Sequence, residues 1–225
     1  SIGDRAFRGC DITSLILPST VKSLGHKVFQ ACDSLESVEI PASVTEIQTD
    51  TFDEYFDADA NEGSGNVTFA EGSALASIGD NAFAGCQKLS SLQLPEGVTE
   101  IGRAAFNGCR ALREVTVPTG VTEIEDFTFG VCASLREIHL PEGLTSIGAS
   151  AFTGCAALTQ IVLPDGVTAL GARAFNNCQA LAKVLVPASV ESIAEDAFQS
   201  STSVTLYGYA DTAAETFAQA NEIAF

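Results

Sequence analysis

Cys86, Cys109, Cys132, Cys155 and Cys178 stand 23 residues apart, and so do Phe83, Phe106, Phe129, Phe152 and Phe175. No other feature of the chain limits its fold so tightly. A repeat period of about 20 to 50 residues marks a solenoid, in which one unit cannot bury its apolar face until the next coil stacks on it. The unit from Cys109 to Cys132 shows how one coil is built. Leu112, Val115 and Val117 have the L-x-x-L-x-L spacing, which puts Val115 and Val117 on one face of a short strand and Thr116 on the other. Pro118 has no N–H to give to a ladder, so it stops the strand and presets a turn completed by Gly120. Val121 and Ile124 then point inward, and a tight segment through Phe129 leads to the next cysteine. All seven prolines (18, 41, 95, 118, 141, 164 and 187) occupy that same turn slot.

The pattern L-x-x-V-x-L-P-x-x-V-x-x-I-G-x-x-A-F-x-G-C runs almost verbatim from Leu89 to Cys109 and again from Leu135 to Cys155. It resembles the BspA-like, or treponemal-type, leucine-rich repeats over nearly the whole chain. The resemblance implies an α/β fold: a right-handed leucine-rich-repeat solenoid of stacked parallel β-strands. Short turns or helices lie on its other side, and a helix-strand cap closes its C-terminal end. It also implies an extracellular or cell-surface location in bacteria, often mucosal or gut-dwelling. Some members of the family are adhesins for host matrix proteins. The implied partner is therefore a protein ligand, host extracellular proteins included, and no cofactor is implied.

Composition narrows the partners further. The balance of 29 acidic against 11 basic residues gives a net charge of -18, a field that repels phosphate backbones and anionic membrane surfaces. Nucleic acid is not expected as a partner on this ground, and no apolar run approaches the length needed to insert in a membrane. The 225 residues read as a single domain of about nine coils, with an insertion at about 53–74 and a cap at about 204–225. Ser1 to Phe7 matches Ser77 to Phe83, so the chain begins in the middle of a repeat. An uncovered first coil predicts further repeats or another domain N-terminal to Ser1, or packing of that edge against another molecule.

The seven cysteines share one phase of the repeat. Equivalent residues on stacked coils lie about 4.8 Å apart with parallel side chains, which keeps their Cβ atoms wider than the roughly 3.8 Å of a bridge. A ladder of buried free thiols is expected. Nine phenylalanines, from Phe7 to Phe198, share a second phase and should stack along the solenoid axis.

One irregularity breaks the period: Phe52 to Phe83 spans 31 residues, eight more than the repeat. Within it, Asp57, Asp59 and Asn61 read D-x-D-x-N, the opening of a calcium loop. The match then fails, because Glu62 replaces the required glycine and Thr68 stands where a bidentate glutamate belongs. A solvated acidic loop is the preferred reading, and no metal site is assigned elsewhere. Near the C-terminus, Val204 to Leu206 reads as a last strand. Thr212 and Glu215 then have the spacing of a capping box, which predicts a helix from about Ala213 to Ala220 and a terminal strand at Ile223 to Phe225.

Function is expected on the outward strand positions, which stack into a continuous surface. The central column reads Ile16, Glu39, Thr68, Gln93, Thr116, His139, Val162, Leu185 and Thr205; beside it stand Glu114, Glu137, Gln160 and Lys183. The candidate ligand face is Glu114, Thr116, Glu137, His139, Gln160, Val162, Lys183 and Leu185. Val162 and Leu185 form an apolar strip rimmed by polar residues, which suits a protein partner. Catalysis is not expected: His26 and His139 are the two histidines, five coils apart, and no nucleophile or oxyanion donor accompanies them. A spacer in a larger surface protein is the competing reading. Carbohydrate binding is weaker, because tryptophan is absent and the three tyrosines fall in the insertion and the cap.

Overall fold

The computed structural model describes residues 1–32, 34–53 and 66–225. Each coil lays down one strand, turns at proline, lays down a second very short strand, and passes through phenylalanine and cysteine to the next coil. On the first side the strands pair in parallel in three runs. Ser14–Leu15, Ser37–Ile40 and Asn66–Phe69 form one. Glu114–Thr116 pairs with Glu137–His139. Gln160–Val162, Lys183–Leu185 and Thr205–Tyr207 form the third.

The second side carries a ladder that the sequence did not announce. Glu46–Ile47, Ser77–Ile78 and Glu100–Ile101 pair in one run, and Glu123–Ile124, Ser146–Ile147, Ala169–Leu170 and Ser192–Ile193 in another. Two residues are too few to show the period-2 alternation by which strands are recognised. A third set of bonds closes the coil: the amides of Phe106, Phe129 and Phe152 donate to the carbonyls of Thr128, Ala151 and Ala174, one coil on, at 2.8–2.9 Å. Among the described residues the one helix is Ala213–Ala220, so turns and short strands, not helices, line the remaining sides.

Phe7, Phe29, Phe52, Phe83, Phe106, Phe129, Phe152, Phe175 and Phe198 stack as expected. Their ring centroids are 4.9–5.7 Å apart and neighbouring planes are within 16° of parallel. Phe217 of the helix closes the column, 5.9 Å from Phe198 and tilted by 57°. Each buried ring removes enough apolar surface from water to stabilise the fold by about 1.5–3 kcal/mol.

Two left-handed residues bracket the ring in the central coils, from Phe83 to Phe175. Two positions before phenylalanine, Asn81, Ala104, Phe127, Ser150 and Arg173 have φ of 52–59°. Two positions after it, Gly85, Gly108 and Gly154 have φ of 71–78°, which glycine adopts without a Cβ clash. This is why glycine precedes cysteine in the repeat. Val131 stands in the same slot at φ 57°, a strained conformation for a β-branched residue. Val131→Gly is therefore expected to stabilise the fold by about 1 kcal/mol despite the flexibility it gives the unfolded chain. Chemical denaturation would measure the gain, and a loss of stability would show that the Val131 side chain packs usefully.

All seven cysteines are free thiols, and all but Cys10 are fully buried. The ladder is tied to the backbone. The Sγ–H of Cys86, Cys109, Cys132, Cys155 and Cys178 points to the carbonyl oxygen of Phe52, Phe83, Phe106, Phe129 and Phe152 in the preceding coil, at 3.1–3.3 Å. Ser201 occupies the next cysteine slot, and its hydroxyl donates to the Phe175 carbonyl at 2.6 Å. The slot thus calls for a small donor as well as a small filler.

At the C-terminus the helix Ala213–Ala220 lies where the capping signal puts it, but the capping box itself is not made: the Thr212 side chain caps no amide, and Glu215 reaches one residue past the N-cap. Glu215 accepts from the Asp211 amide at 2.8 Å, while the Thr212 hydroxyl turns away to the Tyr209 carbonyl at 2.7 Å. Ala224 then adds a single parallel bridge to Thr205, and its carbonyl accepts from the Leu206 amide at 2.9 Å.

Candidate interaction face

In Glu114–Thr116, Glu137–His139 and Gln160–Val162 the central residue is buried and its two neighbours are exposed, as the pleat requires. Val115, Ile138 and Ile161 face the core, while Glu114, Thr116, Glu137, His139, Gln160 and Val162 face out. Lys183 is exposed and Leu185 half-buried on the next strand. Register aligns Glu114 with Glu137, Thr116 with His139, Gln160 with Lys183 and Val162 with Leu185.

The central end of this face is acidic around one imidazole. His139 Nε2 lies 3.4 Å from Glu137 Oε1 and 3.7 Å from Glu114 Oε1. With all three side chains at least half exposed, such contacts add little to stability. They serve instead to hold the three groups together.

The C-terminal end of the face is apolar, and here the structure corrects the expected register. Tyr207, not Thr205, pairs with Leu185, and Thr205 pairs with Lys183. Val204 and Leu206 alternate inward in either register, and a two-residue slip leaves that alternation unchanged. The spacing decides it: Cys178 to Lys183 is five residues, whereas Ser201 to Thr205 is four, so the last coil is one residue short. The result is a ladder of Val162, Leu185 and Tyr207, in which Val162 is 58% and Tyr207 49% exposed. Lys183 Nζ sits 5.2 Å from the centre of the Tyr207 ring, a cation–π contact that steadies it. One of the three tyrosines thus belongs to the face rather than to the cap alone.

The hydrogen-bonded ladder is interrupted between Glu137–His139 and Gln160–Val162. The second ladder continues across that step from Glu123 to Ile193, so the coils stay stacked while the face opens. A shallow groove of about 490 Å³ results, with Glu137 and His139 on one bank and Gln160 and Val162 on the other. The acidic and apolar halves of the face meet there.

The remaining sequence candidates do not join this site. His26 lies in the N-terminal coils, with Nδ1 3.2 Å from the Thr49 carbonyl oxygen. Asp57, Asp59 and Asn61, the weak calcium-loop residues, lie outside the described residues. Among the described residues no helix is long and apolar enough to cross a membrane.

Parallel strands stacked at a 23-residue interval over a phenylalanine column define a leucine-rich-repeat solenoid. The BspA type leucine rich repeat region matches residues 1–76 and 76–205 in six copies, and the chain belongs to that family. Among solved structures it is similar to the leucine rich repeat protein of T. pallidum, with 31% identity over 70% of each chain and a TM-score of 0.61. It is also similar to a leucine-rich repeat protein from Bacteroides ovatus, with 26% identity, a TM-score of 0.57, and coverage of 91% of this chain and 69% of that one. The pneumococcal vaccine antigen PcpA shares the fold, at 18% identity and a TM-score of 0.50 over 93% of this chain and 76% of that one. Among curated proteins a sequence search finds no match.

Proposed function

We propose that the strand face from Glu114 to Tyr207 binds a protein ligand, and that the chain is a non-catalytic recognition module of a bacterial surface or secreted protein, an adhesin or receptor. The observation that carries this reading is the ladder of exposed Val162, half-buried Leu185 and exposed Tyr207 beside an acidic rim. Exposed apolar residues in a row, bordered by charge and a tethered aromatic ring, have the composition of an interface core and its rim. The leucine-rich-repeat fold itself suits a protein-interaction module, because stacked strands give a rigid surface that needs no ordering when a partner docks. A host extracellular protein is the ligand class we favour.

The test is a binding screen of the purified chain against extracellular-matrix proteins and glycans, run beside a Glu137→Lys/Val162→Ser/Leu185→Ser variant. Saturable binding to a protein, weakened at least tenfold in the variant, is the expected result. Binding that the variant retains in full would move the site off this face. Silence across the panel from a folded chain would support a spacer that holds a neighbouring domain.

A further inference from the structure

We propose that Glu114, Glu137 and His139 form a binding site for a zinc-like divalent transition-metal ion. The three side chains come from two adjacent strands, with Glu114 directly opposite Glu137 and Thr116 opposite His139. One ligand atom from each lies within 4.8 Å of the other two. The distances from the imidazole nitrogen to the two carboxylate oxygens are 3.4 and 3.7 Å. Ligand atoms 2.0–2.1 Å from a tetrahedral zinc ion stand about 3.3–3.4 Å from one another. Two edges of such a tetrahedron are therefore already in place to within a few tenths of an ångström.

The donor set chooses the class of ion. Two carboxylates alone would take calcium or magnesium as readily as anything else, whereas an imidazole nitrogen among them favours zinc, nickel or copper. Electrostatics gives the ion a further role. Glu114 and Glu137 are like charges directly opposed across a strand pair, an unfavourable placement, and among the described residues His139 is their sole ion-pair partner. A bound dication relieves that repulsion more fully than one imidazole does. Three protein ligands on an exposed strand pair leave the fourth tetrahedral position to water or to a donor from a docked partner. The backbone under the site is rigid, since Ile138 and Val115 are core residues. The ordering cost is thus confined to three side chains.

Calorimetric titration of Zn²⁺ into the untagged chain tests this, in a Cys10→Ser background that removes the one partly accessible thiol. One zinc equivalent should bind, should weaken at least tenfold in His139→Thr and in Glu114→Gln, and should be unchanged in Glu123→Gln, an exposed acid on the second ladder. Excess Ca²⁺ should not displace it. Because all three ligands are exposed, the variants should melt with the parent chain, so a loss of binding reads on the site. Absence of zinc uptake, uptake equal in His139→Thr, or displacement by Ca²⁺ would overturn the proposal and leave the trio as an exposed ion pair. The outcome does not depend on whether the face also binds a protein.

Discussion

Replacing Phe129 by alanine is expected to lower the unfolding free energy by about 3–5 kcal/mol. The ring is fully buried, with Phe106 at 5.4 Å on one side and Phe152 at 5.6 Å on the other. Neither neighbour can move in to fill the gap, because each is held in its own coil by an amide bond to the next coil and by left-handed residues on both sides. The void therefore persists, and lost contacts add to lost transfer energy. In a repeat array stability is a sum over coils and the interfaces between neighbours, so a lesion at this central position weakens two interfaces at once. Phe7, which is only partly buried at the edge of the stack, should cost less when truncated. Urea unfolding followed by circular dichroism measures both. A loss below 1 kcal/mol for Phe129→Ala would mean that the column does not carry the core.

The second large effect is loss of stability at alkaline pH. Burial raises the pKa of Cys109, Cys132 and Cys155 well above the usual thiol value, and a neighbouring thiol on the ladder adds to each. Burial likewise pushes Cys178 up to about 12. In the unfolded chain the same groups ionise at their ordinary value of about 8.5. Below that value both states hold the proton, and the thiols impose no pH dependence. Above it the unfolded chain releases protons that the folded chain retains, so stability falls as pH rises, until the folded thiols ionise in turn. The slope is about 1.4 kcal/mol per pH unit for each such thiol. Denaturant midpoints measured from pH 7 to 11 should thus drop steeply above pH 9. A Cys109→Ser/Cys132→Ser variant should drop less, since Ser201 shows that a hydroxyl fills the slot and keeps the bond. Native-state alkylation at pH 8 should modify Cys10 and spare the six buried thiols. A flat pH profile, or rapid alkylation of the ladder, would contradict the buried-thiol reading.

The sequence revealed the repeat, the phenylalanine column, the cysteine ladder, the proline turns and the outward placement of Glu114 through Leu185. It did so because each occupies one phase of a strict period. What it hid has a physical cause in each case. The second ladder is built of two-residue strands such as Glu123–Ile124, too short to alternate. Ser201 was missed as a ladder member because a residue-type pattern does not register that serine and cysteine are both small donors. Tyr207 was missed because inward alternation at Val204 and Leu206 fits two registers, and the choice between them rests on a last coil that is one residue short, with serine in place of the cysteine that marks the phase. Glu114 and Glu137 could be placed near His139 from spacing alone, but their convergence on one imidazole nitrogen depends on side-chain rotamers. The interruption beside His139 likewise depends on how the coils splay, which no single repeat encodes.

Central to the function proposed is that the face is free: its residues are not needed to hold the coils together and so remain available to a partner. The melting temperature of a Val162→Thr/Tyr207→Thr variant tests this most directly. Exposed positions of a strand tolerate threonine at a cost of about 0.5 kcal/mol or less each, which for a chain of this size is a shift of about 2–4 °C at most. A melt within that range is the result expected of a surface kept for a partner. A fall of about 10 °C or more would show that Val162 and Tyr207 serve the fold, and that the ligand surface must be sought elsewhere on the solenoid.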